Sequence, residues 1–213
     1  MKIKIGLNSL VVAKLTEDVS AALSEEGTAS VTYDEIVPLP NVQNIDFSPK
    51  TQTADVDADD VTTTLIQCSG ADGNIQRTMF TPEEEAMLLD KTVLEDGTIV
   101  STGDDNPAYF AIGFRQPIYG GGLLCMWILR AKFTEGDFAA ETKGTEKLNP
   151  QSDKLSFKSA TRMCDNAWRV AKVVQSEEEI GDFFTIETLQ KLYKKTSAPA
   201  VVEEEPEEEP MDA

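Results

Sequence analysis

Between Phe110 and Phe133 the apolar side chains follow a period of two, which restricts what this chain can fold into more than any other feature. Phe110, Ile112 and Phe114 alternate with Ala111 and Gly113, so one face of a strand here can enter a core. In the next segment Leu123, Cys125, Trp127, Leu129, Ala131 and Phe133 share one face. The opposite face is apolar as far as Ile128 and then carries Arg130 and Lys132. Gly120, Gly121 and Gly122 lie between the two runs and predict a hairpin.

Shorter strand-like segments fill most of the first 175 residues. Residues 9–15 are rich in Val and Leu, 31–37 and 42–47 are separated by Pro38 and Pro40, and 61–68 is a Thr/Ile/Leu run. Leu155 and Phe157, then Trp168 and Val170, predict a second hairpin-like pair around Asp165 and Asn166. Roughly eight to ten locally connected strands give a mainly β fold, an antiparallel β-sandwich or barrel. One flanking α-helix interrupts them. Thr81 is its N-cap, Pro82 its first residue, and Glu84 completes a capping box. The helix is expected to run from Pro82 to about Val93 with Ala86, Leu89 and Val93 on the packed side, before Glu95, Asp96 and Gly97 turn the chain back.

Beyond Gln175 the pattern changes. Ser176 caps a helical stretch with Phe183, Ile186, Leu189, Leu192 and Tyr193 on one side, running toward Lys194 and Lys195, with Gly181 weakening its start. This helix is either a partner-binding element or a flap over its own body. From Ser197 the Ala/Pro/Val and Glu/Pro residues offer nothing to bury. The expected organisation is a β-sandwich domain over 1–175, a C-terminal helical extension over 176–196 and a disordered acidic tail over 197–213.

The chain contains no histidine, which removes the central residue of the common serine triads, of zinc hydrolases and of acid/base catalysis near neutral pH. No carboxylate pair stands isolated in an apolar setting, so no catalytic residue and no cofactor are expected. Cys68, Cys125 and Cys164 are odd in number and far apart, as suits buried free thiols in a reducing cytoplasm. The net charge is -19; the last eleven residues hold seven acids and no base, leaving 31 acids against 19 bases elsewhere. No basic stripe is present, which disfavours nucleic-acid binding by phosphate neutralisation. Lys2 and Lys4 precede an apolar stretch, but Asn8, Ser9 and Lys14 interrupt it, so neither a signal peptide nor a membrane span is expected.

Three patterns invite a site and have a plainer reading. Asp55, Asp57 and Asp59 mimic the first ligands of a calcium loop, but Asp60 stands where the turn glycine belongs and Ile66 where the bidentate glutamate belongs. A solvated acidic loop without metal is the expectation. The Gly120–Gly122 run lacks the Lys-Ser/Thr of a phosphate loop and reads as a turn. A carbohydrate site lined by Trp127 and Trp168 is the alternative to core packing, which fits their alternating strands better.

Several stretches, in colinear order over about residues 1–175, resemble the major tail tube proteins of siphophages, the bacteriophages with long non-contractile tails. They are GLNSLVVAKLTED (6–18), YDEIVPLPNVQNIDFSP (33–49), ADVDADD ending at Asp60, FTPEEEAMLLDKTVLEDGTIV, NPAYFAIGFR (106–115) and WILRAKFTEGDFAAETKG. The resemblance implies a β-sandwich with a flanking helix, six copies to a ring, and rings stacked into a tube whose inner wall is a continuous barrel. It also implies tape-measure and tail-terminator or initiator proteins as partners, genomic DNA passing through the lumen without specific binding, and a virion location after assembly in the bacterial cytoplasm. The physics agrees, because ring closure by pairing between neighbours removes exposed sheet edges. An acidic lumen would let DNA slide where a basic wall would grip it.

The expected assembly element is the connection from Phe47 to Asp60, an inter-ring or inter-subunit loop. It carries Phe47, Pro49, Lys50, Thr51, Thr53, Asp55, Asp57, Asp59 and Asp60, with few residues able to form a core of its own. The competing reading is a monomeric β-sandwich binding module of the capsid-decoration or adhesin kind.

Overall fold

In the computed structural model of the chain the described residues are 3–4, 6–24, 27–58, 61–136 and 152–193. They form, in order, strands β1 (Ile3–Lys4), β2 (Asn8–Val19), β3 (Ser30–Pro38), β4 (Val42–Ala58) and β5 (Val61–Arg77), then helix α1 (Pro82–Leu89). There follow β6 (Thr92–Val93), β7 (Ile99–Val100), β8 (Tyr109–Tyr119), β9 (Leu123–Glu135), β10 (Asp153–Ala160) and β11 (Arg169–Val174). A 3-10 segment (Glu178–Phe184) and a short helix α2 (Ile186–Gln190) end the described chain.

Nine strands make one antiparallel sheet in the order β3-β2-β8-β9-β10-β5-β4, with β1 added on β8 and β11 on β9; β6 and β7 pair separately. The expected β8–β9 hairpin is present, its turn at Gly120–Gly122 holding three successive positive φ angles. The sheet folds back on itself into a sandwich. Ile75 of β5 and Phe157 of β10 share a core with Leu10, Phe110, Ile112, Leu124, Met126 and Ile128, and Phe47 of β4 meets Phe114 edge-on at 6.4 Å. Helix α1 closes one end with Leu88 and Leu89. Its capping box is formed as expected, Glu84 N–H donating to Thr81 Oγ1 at 3.3 Å and Thr81 N–H to Glu84 Oε2 at 2.9 Å. The helix is shorter than expected because Asp90 takes a left-handed conformation. Thr92–Val93 then turns into a strand against Ile99–Val100, and Leu88 replaces Ala86 and Val93 among the buried residues.

A β-bulge changes the expected faces of β9. Phe110 pairs with Ala131 and Ile112 with Ile128, so Leu129 and Arg130 together oppose the single residue Ala111. The extra residue inverts the alternation. Leu123, Cys125, Trp127 and Leu129 lie in one core, whereas Ala131 and Phe133 join the other, where Phe133 meets Phe110 at 5.8 Å. The bulge also marks a change of neighbour: Ala131 and beyond pair with β10, and Ile128 and before with β11. Strands β10 and β11 therefore follow one another along the same edge of β9 and do not form the expected hairpin with each other. The chain between them leaves the sheet.

That excursion anchors the C-terminal segment, which covers its own body. Ile180, Phe183 and Leu189 are buried over Ala13, Tyr33, Ala111, Cys125 and Trp127, the second core. Trp127 is fully buried, donates Nε1–H to the Phe183 carbonyl at 2.8 Å, and lies so close across Gly113 that a Cβ there would sit 2.6 Å from the indole. The segment is not one continuous helix, because Gly181 at φ 50° breaks it and Thr185 caps a new turn by accepting Thr188 N–H. Ser176 caps as expected, accepting Glu179 N–H at 3.4 Å. Lys194, Lys195 and the acidic tail over 197–213 lie outside the described residues. Burying three such apolar side chains contributes roughly 5–9 kcal/mol before conformational entropy, comparable to the net stability of a whole domain.

The fastening is polar. Arg162 is 0% exposed and its guanidinium holds the Asp165 carboxylate, the Leu189 carbonyl at 2.7 Å and the Lys191 carbonyl at 3.0 Å. Asp165 also accepts the N–H groups of Tyr193 (2.9 Å) and Ala167 (3.0 Å). Burial alone would raise the Asp165 carboxyl, but the hydrogen bonds from Arg162, Tyr193 and Ala167 prevail and hold it below its ordinary value. Removing one partner of such a pair strands the other charge. Arg162→Ala should therefore lower unfolding free energy by about 3–5 kcal/mol in urea titrations and expose the Trp127 indole to fluorescence quenchers. The contribution of Asp165 is complete above about pH 4 and disappears as pH falls through its depressed native value, so Trp127 should become quenchable only in that acidic range.

Candidate assembly surfaces

Strands β4 and β5 are each 17 residues long, and only part of their ladder belongs to the sandwich. Strand β10 covers the far edge of β5 from Arg77 to Gly70 and stops there. A register shift between Lys50 and Thr51 marks the same level, and from Thr51↔Cys68 to Ala58↔Val61 the two strands pair, among the described residues, only with each other. Eight residues at about 3.3 Å each make this a two-stranded arm extending roughly 25 Å beyond the sandwich. The expected loop is thus a regular ribbon. The β-branched residues Thr51, Thr53, Val56, Val61, Thr62, Thr63, Thr64 and Ile66 favour the extended backbone, and a cross-strand partner was available from the Thr/Ile/Leu run.

Phe47 and Pro49 belong to the base of β4, where Phe47 packs against Phe114 and the half-buried Trp168, and Pro49 pairs with Ala71. A proline is tolerated here because β4 is an edge strand. Lys50 makes an ion pair with Asp72 at 2.7 Å, both nearly half exposed, and such a pair adds less than about 1 kcal/mol. Thr51 and Thr53 stand on the arm opposite Cys68 and Ile66. The Asp55 carboxylate accepts the Thr64 hydroxyl at 2.8 Å, and Asp57 holds the register position opposite Thr62. Asp59 and Asp60 lie outside the described residues, so the calcium-like run is placed only as far as Asp57. Among the described residues no three acid or thiol side chains converge as metal ligands, and no helix is long and apolar enough to cross a membrane.

Among the described residues the arm has no cover. Thr51 to Asp55 and Thr64 to Gln67 are exposed, including Leu65 at 57% and Ile66 at 70%. A lone two-stranded ribbon is marginally stable in water. Further unmet valence lies at the sheet borders: among the described residues β3, β4 and β11 each pair on one side only. Sequence periodicity marks strands but not their neighbours, so these borders could not be read from it. Between the β4 border and the β8–β9 face a cleft of about 370 Å³ opens, lined by apolar Ile45, Phe47, Phe114, Leu124 and Met126 and by polar Gln43, Asn44, Gln116 and Arg169. Of the three thiols expected to be buried only Cys125 is; Cys164 is half-buried, its thiol pushed up to about 12 by burial, and Cys68, half-buried at the base of the arm, donates to the Gly70 carbonyl at 3.4 Å.

No protein-family model and no curated protein matches the chain. Because the printed contacts from the arm to the sandwich are two long hydrogen bonds at its base, Ser69 Oγ to the Lys50 carbonyl at 3.5 Å and Cys68 Sγ to the Gly70 carbonyl at 3.4 Å, replacing residues 51–69 with an Asn-Gly turn between Lys50 and Gly70 should leave the fold intact. The midpoint of thermal unfolding should move by no more than about 2–4 °C, the equivalent of 1 kcal/mol in a domain of this size, as checked by circular dichroism.

Proposed function

We propose that this chain is a self-assembling structural subunit whose copies close into rings and stack into the tube of a phage tail, the conduit for DNA ejection. The observation that carries the reading is the β4–β5 arm, a long ribbon that among the described residues has nothing to lie against. The one-sided strands β3, β4 and β11 add to it, since an edge left open invites pairing with a second copy and closing a ring removes that hazard. The resemblance of residues 1–175 to siphophage tail tube proteins points the same way and supplies the partners: tape-measure, terminator or initiator proteins, and DNA that passes without specific binding.

The acidity of the chain suits such a conduit, because an acidic wall repels duplex DNA over a range of about 8–10 Å at physiological salt and leaves it free to slide. A monomeric binding module would share the sandwich but would have no use for an arm that leaves it. Negative-stain microscopy of the purified chain, concentrated and mixed with an initiator complex, should show rings or tubes, and the arm-deleted variant should stay monomeric while folded. A lone species under every such condition would favour the binding module and refute the tube.

A further inference from the structure

The cleft at the mouth of the sandwich has the chemistry of a receptor for an amphipathic ribbon. Its lining mixes apolar Ile45, Phe47, Phe114, Leu124 and Met126 with polar Gln43, Asn44, Gln116 and Arg169. Among the described residues strand β4, which forms one wall, is paired only to β5, and β11, which begins at Arg169, only to β9. An inserted strand would thus meet unpaired backbone groups as well as apolar side chains, the two requirements of strand addition. Beside two of the lining residues, Trp168 meets Phe47 edge-on at 6.3 Å between centroids and stacks under the Arg169 guanidinium at 4.8 Å.

We infer that this cleft is the seat of the β4–β5 arm of a second copy of the chain, an inference that rests on the assembly reading and names its contact. The arm cannot occupy its own cleft. Leu65 pairs with Ala54, seven residues along β4 from Phe47, so the ribbon carries it roughly 23 Å away from the wall it would have to enter. Its exposure of 57%, with Ile66 at 70%, agrees. Charge selects the same occupant: residues 51–69 hold four acids, Asp55, Asp57, Asp59 and Asp60, and no base. Arg169, by contrast, is exposed and forms no ion pair among the described residues, whereas nearby Arg115 is already engaged by Glu177 at 3.8 Å and Ser9 at 2.9 Å. The contact is heterologous, arm to cleft, so each copy gives one arm and receives another and the chain of contacts has no built-in end.

The test places benzoylphenylalanine at Leu65 and irradiates assemblies grown from an equal mixture of unlabelled and nitrogen-15-labelled full-length chains. Mixed-isotope cross-links from position 65 to the peptides holding Asn44–Phe47, Gln116 or Arg169 are expected. Cross-links confined to one chain, or mixed-isotope links to another surface while rings or tubes form, would overturn the seat and leave the tube standing. Absence of any assembly would overturn both. A charge exchange gives a second reading: Arg169→Glu should raise the concentration needed for assembly about tenfold, and adding Asp55→Lys should restore most of it. Unchanged assembly by Arg169→Glu, with circular dichroism confirming the fold, would count against the arm's acids as the partner.

Discussion

The β8–β9 hairpin carries apolar side chains on both faces, and the rest of the molecule is arranged to cover it twice. On one side Phe110, Ile112, Phe114, Leu124 and Met126 require a second layer, which the sheet provides by folding β10, β5 and β4 back over them and closing the end with α1. On the other side Leu123, Cys125, Trp127 and Leu129 require another cover, and the chain after β11 provides it through Ile180, Phe183 and Leu189. A sheet buried on both faces reads as a nearly unbroken apolar run, which β9 does from Leu123 to Leu129. The C-terminal segment is therefore bound to the same core as the strands, and Arg162 with Asp165 fastens it where the chain passes from β10 to β11.

The bulge in β9 couples these features. By placing Leu129 and Arg130 against Ala111 it turns Phe133 toward Phe110 and Phe157, so one strand serves both cores along its length. At the same level it ends the pairing with β10 and begins that with β11, freeing residues 161–168 to leave the sheet. Asp18 on β2 receives this excursion through the N–H groups of Met163 (2.8 Å) and Cys164 (3.0 Å), and Arg130 reaches the Thr161 carbonyl at 3.0 Å. Arg130 Nε, 3.5 Å from the Asp18 carboxylate, is left with an ion pair and no hydrogen bond, and the larger unmet valence lies at the surface, in the arm and at the strand borders.

Local chemistry was legible in the sequence. The Thr81/Glu84 capping box, the glycine turn between β8 and β9 and the alternation of Phe110, Ile112 and Phe114 each depend on residues a few positions apart, and each is formed. What could not be read depends on partners far away in the chain. The parity change at Leu129 and Arg130 follows from pairing across to β8, and no residue type in β9 announces it. The arm was hidden for a related reason: Asp55 and Asp57 look like turn residues, yet the threonine-rich partner strand keeps them in register. The polar seat of Arg162 and Asp165 was hidden too, since two charged residues three apart ordinarily lie in solvent, and only the packing of Leu189 and Tyr193 over them makes them core.

The central claim is that the backbone and side chains of the arm find their cover in sister molecules. Hydrogen–deuterium exchange of the amides of residues 51–55 and 64–68, compared between dilute monomer and assembled material, tests it most directly. Rapid exchange in the monomer and slowing by at least about a hundredfold on assembly, equivalent to some 3 kcal/mol of added protection, is the predicted result. Amides already protected in the dilute monomer, or exchanging equally fast in both states, would contradict the account.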